Sequence, residues 1–143
     1  MTYYTDNASA LFEQYNQANP ATLHRDWVSY LPDRPGLACD IGAGTGRDSN
    51  WLAEQGWDVI AVEPETALRE QAKTQSHANV AWLDDRLPDM SRLRKLGQRF
   101  NLILLSAVWM HIPQTSRERA FRILSELLAP GGVLVISLRQ GKN

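Results

Sequence analysis

Apolar and polar positions change rhythm along this 143-residue chain. In ASALFEQYNQA (8–18), Ala8, Leu11, Phe12, Tyr15 and Ala18 share one helical face, and Asn19-Pro20 ends the pattern. A second amphipathic piece, TLHRDWVSYL, carries Leu23, Trp27, Val28 and Leu31 before the breaker PDRPG. The two predict an N-terminal helical cover over residues 1–35. From residue 36 the pattern alternates between strand and helix. GLACDI (36–41), WDVIAV (57–62), NVAWL (79–83), FNLILLSAV (100–108) and GGVLVISLR (131–139) read as five apolar strands. TGRDSNWLAEQG (45–56) reads as a helix closed by Gly56, and PETALREQAKTQ as one with proline in its first turn. A short helix is expected around Ser91 to Leu96. TSRERAFRILSELLA opens with Thr115 and Glu118, at capping-box spacing.

Near-continuous apolar strands separated by helices imply a mainly parallel sheet covered on both faces, because such strands have no solvent side. Right-handed crossovers leave a doubly wound α/β sheet of about five strands, order 3-2-1-4-5, as the natural topology. The length fits one domain, residues 1–143, with the cover at 1–35 and the core at 36–143.

Charge narrows the partners. The formal net charge is −1 and the basic residues are scattered, the densest stretch being RLRKLGQR (92–99). That balance speaks against nucleic acid or an anionic membrane as partner. The single cysteine, Cys39, excludes an internal disulfide and reads as small apolar filler; no Cys/His spacing suggests a metal. No run approaches the roughly 18 apolar residues of a membrane span, and MTYYTDNASA lacks a signal pattern, so a cytoplasmic protein is expected.

The chemistry gathers at CDIGAGTGRD (39–48), at the carboxyl end of the first core strand, where doubly wound sheets bind ligands. Gly42, Gly44 and Gly46, with Ala43 between them, let a ligand approach bare backbone, and the next helix offers unpaired N–H groups. A dinucleotide fingerprint would need glycine at position 47, which is Arg47; this weakens a nicotinamide-dependent oxidoreductase. Asp40 would repel a phosphate but would suit an ammonium. The ligand therefore has both a cation and an anion, as an amino acid does. Glu63, ending the second strand, can accept from two ribose hydroxyls. Asp84-Asp85, ending the third, can accept from an exocyclic amine, and either residue of the pair fits.

These residues resemble the class I S-adenosylmethionine-dependent methyltransferases, over about residues 36–139. The resemblance implies S-adenosyl-L-methionine as cofactor and S-adenosyl-L-homocysteine as product. It implies that Asp40 with the backbone of Gly42 and Gly44 holds the methionine part, Glu63 the ribose, and Asp84 or Asp85 the adenine. Ser106 would line the pocket near the sulfonium, and Tyr15 or Arg25 would reach the cofactor's carboxylate. His111, in SAVWMHIP, is the candidate general base, with Trp109 and Met110 as possible walls of the acceptor pocket. No Asn-Pro-Pro-Tyr-like tetrad follows the fourth strand, where SAVW stands. Without a basic groove or an added recognition domain, a small-molecule acceptor is expected. A non-catalytic cofactor-binding module, or a fragment of a larger methyltransferase, is the alternative. Family members usually add two strands after the fifth; here RQGKN follows it. The fifth strand's edge is therefore expected to be covered by another copy, making a homo-oligomer, or by a nonlocal element.

Overall fold

The computed structural model describes residues 2–5, 8–15, 31, 34–106 and 111–139, with the backbone alone for 2–5, 8–15, 106 and 137–139. Two N-terminal strands, β1 (Thr2–Thr5) and β2 (Ala8–Tyr15), precede the core. The core strands are β3 (Leu37–Ile41), β4 (Asp58–Val62), β5 (Val80–Leu83), β6 (Phe100–Ser106) and β7 (Leu128–Arg139). Between them come α1 (Arg47–Glu54), α2 (Thr66–Lys73), α3 (Ser91–Lys95) and α4 (Gln114–Leu127).

All seven strands form one sheet, in the order β1-β2-β7-β6-β3-β4-β5. The five core strands run parallel, and their order is the expected 3-2-1-4-5. Strand β3 pairs with β4 on one side and β6 on the other. The chain order reverses there, which leaves a crevice beyond the strand ends.

Alternate residues of each strand enter opposite apolar layers. Cys39, Ile103 and Leu134 pack with Met90 and Leu93 beside α3 and Leu124 of α4. Ala38, Leu102 and Val135 pack with Leu52 and Ala53 of α1. The period of two therefore separates the layers, and burial on both faces explains why these strands read as unbroken apolar runs.

The N-terminal segment differs from its helical expectation. Residues 8–15 form β2, parallel to β7 in an eight-pair register from Ala8↔Gly132 to Tyr15↔Arg139. Strand β1 closes on β2 antiparallel. The segment's apolar spacing suits a helix, but the free N–H and C=O groups along β7 offer a ladder that local periodicity cannot report. A nonlocal element thus covers the fifth core strand's edge, one of the two outcomes expected. The second predicted helical piece and Ala18 fall outside the described residues, apart from Leu31, which packs against the α1-side layer. The capping box is also absent: α4 starts at Gln114 after Pro113, with no side-chain cap. Ser116 N–H instead bonds the Pro113 carbonyl at 2.8 Å.

Candidate functional site

The glycine turn is built by backbone that only glycine adopts cheaply. Gly42, Gly44 and Gly46 have φ of 74°, 60° and 85°. The turn is pinned to the neighbouring strand by Gly42 and Ala43 N–H groups, which donate to the Val62 carbonyl at 2.9 and 3.0 Å. At Gly46 a Cβ would also come within 2.9 Å of the Trp82 ring. Helix α1 begins immediately after it, so its first N–H groups, which have no intrahelical partner, lie next to the turn.

Three acidic side chains are buried around this turn: Asp40 at 1 % exposure, Asp48 at 6 % and Glu63 at 7 %. Glu63 braces the turn. Its Oε1 accepts from Gly44 N–H at 2.8 Å and its Oε2 from Glu65 N–H at 3.0 Å. Arg69 Nη1 donates to the Glu63 carbonyl at 2.8 Å and lies 3.6 Å from Asp84 Oδ1. It thus links the ends of β4 and β5.

Asp40 is satisfied on one side only. Its Oδ2 accepts from Ser49 Oγ at 2.7 Å, while Oδ1 is buried with no hydrogen-bond partner among the described residues. Burial, and then the Asp48 carboxylate, push Asp40 up to about 7. Glu63 adds to the rise, and the Ser49 hydroxyl and backbone oppose it. A buried carboxylate oxygen without a donor is costly. A cation with N–H groups brought to Oδ1 would remove that cost.

Beyond the strand ends lies a cavity of about 430 Å³, lined by Ile41, Gly42, Glu63, Asp85, Arg86 and His111. Pro64, Leu87, Ile112 and Pro113 supply its apolar wall. The volume and the mix of apolar wall with few polar groups suit a small organic ligand. Asp85 lies on this wall; Asp84 does not. Asp85 Oδ1 accepts from Arg86 N–H at 2.9 Å and Oδ2 from Leu93 N–H at 2.8 Å, which caps α3. The half-exposed Asp84 pairs with Arg69 and, at 3.7 Å, Arg92.

The structure brings Gly42, Glu63, Asp85 and His111 to one cavity, while Asp40 is buried beside the glycine turn and is not on the cavity lining. Ser106 ends β6 opposite Ser137, at the same edge of the sheet. Tyr15 ends β2 on that edge too, but β7 and β6 stand between β2 and β3, a separation of roughly 14 Å at the usual strand spacing. Arg25, Trp109 and Met110 lie outside the described residues. Sequence reading missed Ser49 and Arg69, which act on Asp40 and on the β4 and β5 ends. Ser49, in the first turn of the helix after the glycines, carried a legible signal; Arg69 did not. Cys39 is fully buried, and burial, followed by the Asp40 and Asp85 charges, pushes its thiol well up, in keeping with apolar filler. Among the described residues no acidic, histidine or cysteine group is arranged to hold a metal, and no helix is long and apolar enough to cross a membrane.

A glycine cradle flanked by buried carboxylates, on a doubly wound sheet, is the arrangement of the class I methyltransferase fold. Residues 12–141 match the family model described as "Methyltransferase domain", and the chain belongs to that family. Among curated relatives, an uncharacterized methyltransferase of Alkaliphilus oremlandii is 27 % identical over 142 residues, covering 94 % of this chain and 59 % of that protein. One from Oceanobacillus iheyensis is 30 % identical over 125 residues, covering 87 % and 53 %. The chain thus spans between half and three fifths of the length of these relatives. Among solved structures, the glycopeptide N-methyltransferase MtfA in complex with S-adenosyl-L-methionine superposes with a TM-score of 0.69 at 20 % identity, covering 82 % of this chain and 54 % of that one.

Proposed function

We propose that this chain binds S-adenosyl-L-methionine in the crevice beyond β3 and β4 and transfers its methyl group to a small-molecule acceptor in the cytoplasm. The buried, donor-free Oδ1 of Asp40 beside a bare glycine turn carries this reading. It is a position for an ammonium, and the α1 N-terminus beside it suits the accompanying carboxylate. The backbone of Gly42, Ala43, Gly44 and Gly46 lets the methionine part lie close. Glu63, on the cavity wall, takes the ribose hydroxyls with lone pairs not committed to the turn. Asp85 is better placed than Asp84 for the adenine amine, because it and Arg86 line the cavity.

The cofactor, once bound, supplies a methyl carbon on a good leaving group. The chain's own task is to align an acceptor with it and to exclude water. Ser106, at the end of β6, is the candidate to line the pocket near the sulfonium, and His111 on the cavity wall takes the proton of an acceptor that arrives protonated. Tyr15 and Arg25 are the remaining candidates for the carboxylate.

The chain's half-length match to its relatives favours a second reading, a cofactor-binding module that completes its acceptor site with further chain. Calorimetry with S-adenosyl-L-methionine, followed by a radiolabelled methyl-transfer screen of small phenols, amines, thiols and carboxylates, separates the two. Binding with transfer supports the enzyme. Binding without transfer to any acceptor supports the module, and absence of binding removes both.

A further inference from the structure

The geometry points to Ser49 as a positioning residue, one that holds Asp40 ionised and aims its free oxygen at the cofactor's ammonium; this rests on the reading above. Ser49 is fully buried on the α1 face that covers β3. A hydroxyl has a single proton to donate, and this one is given to Asp40 Oδ2 at 2.7 Å. Pinning Oδ2 fixes the plane of the carboxylate, so Oδ1 is the oxygen left to meet a ligand.

The surroundings explain why such a donor is needed. From α1, Asp48 faces Asp40, and from the end of β4, Glu63 does; both charges oppose ionisation of Asp40. Arg47 lies 3.9 Å from Asp48 Oδ1, so its charge is engaged with that carboxylate. The neighbouring Cys39 thiol is neutral and Asp85 lies at the next strand end but one, so neither brings a positive charge. Without the Ser49 hydroxyl, burial and two acidic neighbours would favour the protonated acid, which has no charge to offer an ammonium. Ser49 touches neither ligand nor reacting atoms; its effect passes through Asp40.

The test is calorimetric titration of the full chain with S-adenosyl-L-homocysteine between pH 6 and 9. Affinity of the parent rises as pH passes about 7, where Asp40 loses its proton. It falls again at higher pH, as the ligand's own ammonium loses its proton. In Ser49→Ala the acid limb moves up by about one pH unit, so binding at pH 6.5 weakens about tenfold while binding near pH 8 changes much less. Ser49→Thr, which keeps the hydroxyl, restores the parent's limb. Ser49→Cys, a weaker donor of similar volume, falls between and carries the test if the alanine variant does not fold. A uniform loss of affinity at every pH, or an unshifted limb, overturns the role of Ser49 while leaving the cofactor reading intact. A parent that binds no S-adenosyl-L-homocysteine at any pH overturns both.

Discussion

The carboxyl ends of β3 and β5 each bury an aspartate, and they use it in opposite ways. At β5, neither oxygen of Asp85 lacks a donor: each accepts one backbone N–H group, from Arg86 and Leu93, and the carboxylate fastens a loop to α3. At β3, Asp40 is half complete, with one oxygen on Ser49 and the other without a donor. The first arrangement stabilises the fold without help. The second costs stability while Asp40 is ionised in the free protein, a cost that protonation removes and that a bound cation would remove. A buried acid left unfinished by its own chain, at a glycine turn, is therefore the stronger mark of a ligand.

The sharpest way to break this contrast is Asp40→Ala. Removing one partner of a buried charge pair costs about 2–5 kcal/mol, so affinity for S-adenosyl-L-methionine should fall at least about thirtyfold by calorimetry. An affinity within threefold of the parent would sink the ligand reading of β3. The pH dependence of stability follows next in size. Burial and Asp48 raise Asp40 from 3.8 to about 7, so the folded state holds this proton more tightly than the unfolded chain. The stabilisation is full below the unfolded value of 3.8 and is lost as pH rises through about 7, a change on the order of a few kcal/mol. Urea unfolding of the ligand-free protein should show that loss between pH 4 and 8, and Asp40→Asn should flatten it.

Asp85→Ala tests the other side of the comparison. It deletes the acceptor for two N–H groups and should lower unfolding stability by about 1–2 kcal/mol, seen as a lower urea midpoint with an unchanged slope. A midpoint equal to the parent's would mean that the cap contributes nothing. The smallest effect is expected at Asp84→Ala. Its side chain is 43 % exposed and its pairs with Arg69 and Arg92 exceed 3.5 Å, so stability should change by less than about 1 kcal/mol.

The sequence carried the core because the central strands β3 and β6 are buried on both faces and the connecting segments carry turn signals. Thus Gly56, closing α1, and the apolar run of β6 were readable by eye. Asp40 and the three glycines were legible for the same local reason: a turn's chemistry is written in adjacent residues. What failed was nonlocal. The Ala8–Tyr15 segment has helical spacing, yet its pairing with β7 depends on an edge far away in the chain. Thr115 and Glu118 had capping spacing, but Pro113 already set the helix start. The different surroundings of Asp84 and Asp85 could not be read, because they depend on which carboxylate meets the N–H groups of α3 and which meets Arg69. The partnership of Ser49 with Asp40 required knowing that α1 lies over β3.

The ladder between β2 and β7 has a consequence for how the molecule comes together. Its partners are more than a hundred residues apart, the most distant pairing in the sheet. During synthesis, the β1–β2 hairpin leaves the ribosome long before the strand it must join exists. Two-stranded ribbons are marginal alone, so the hairpin waits without a stable dock, and its attachment belongs among the last and slowest steps of assembly.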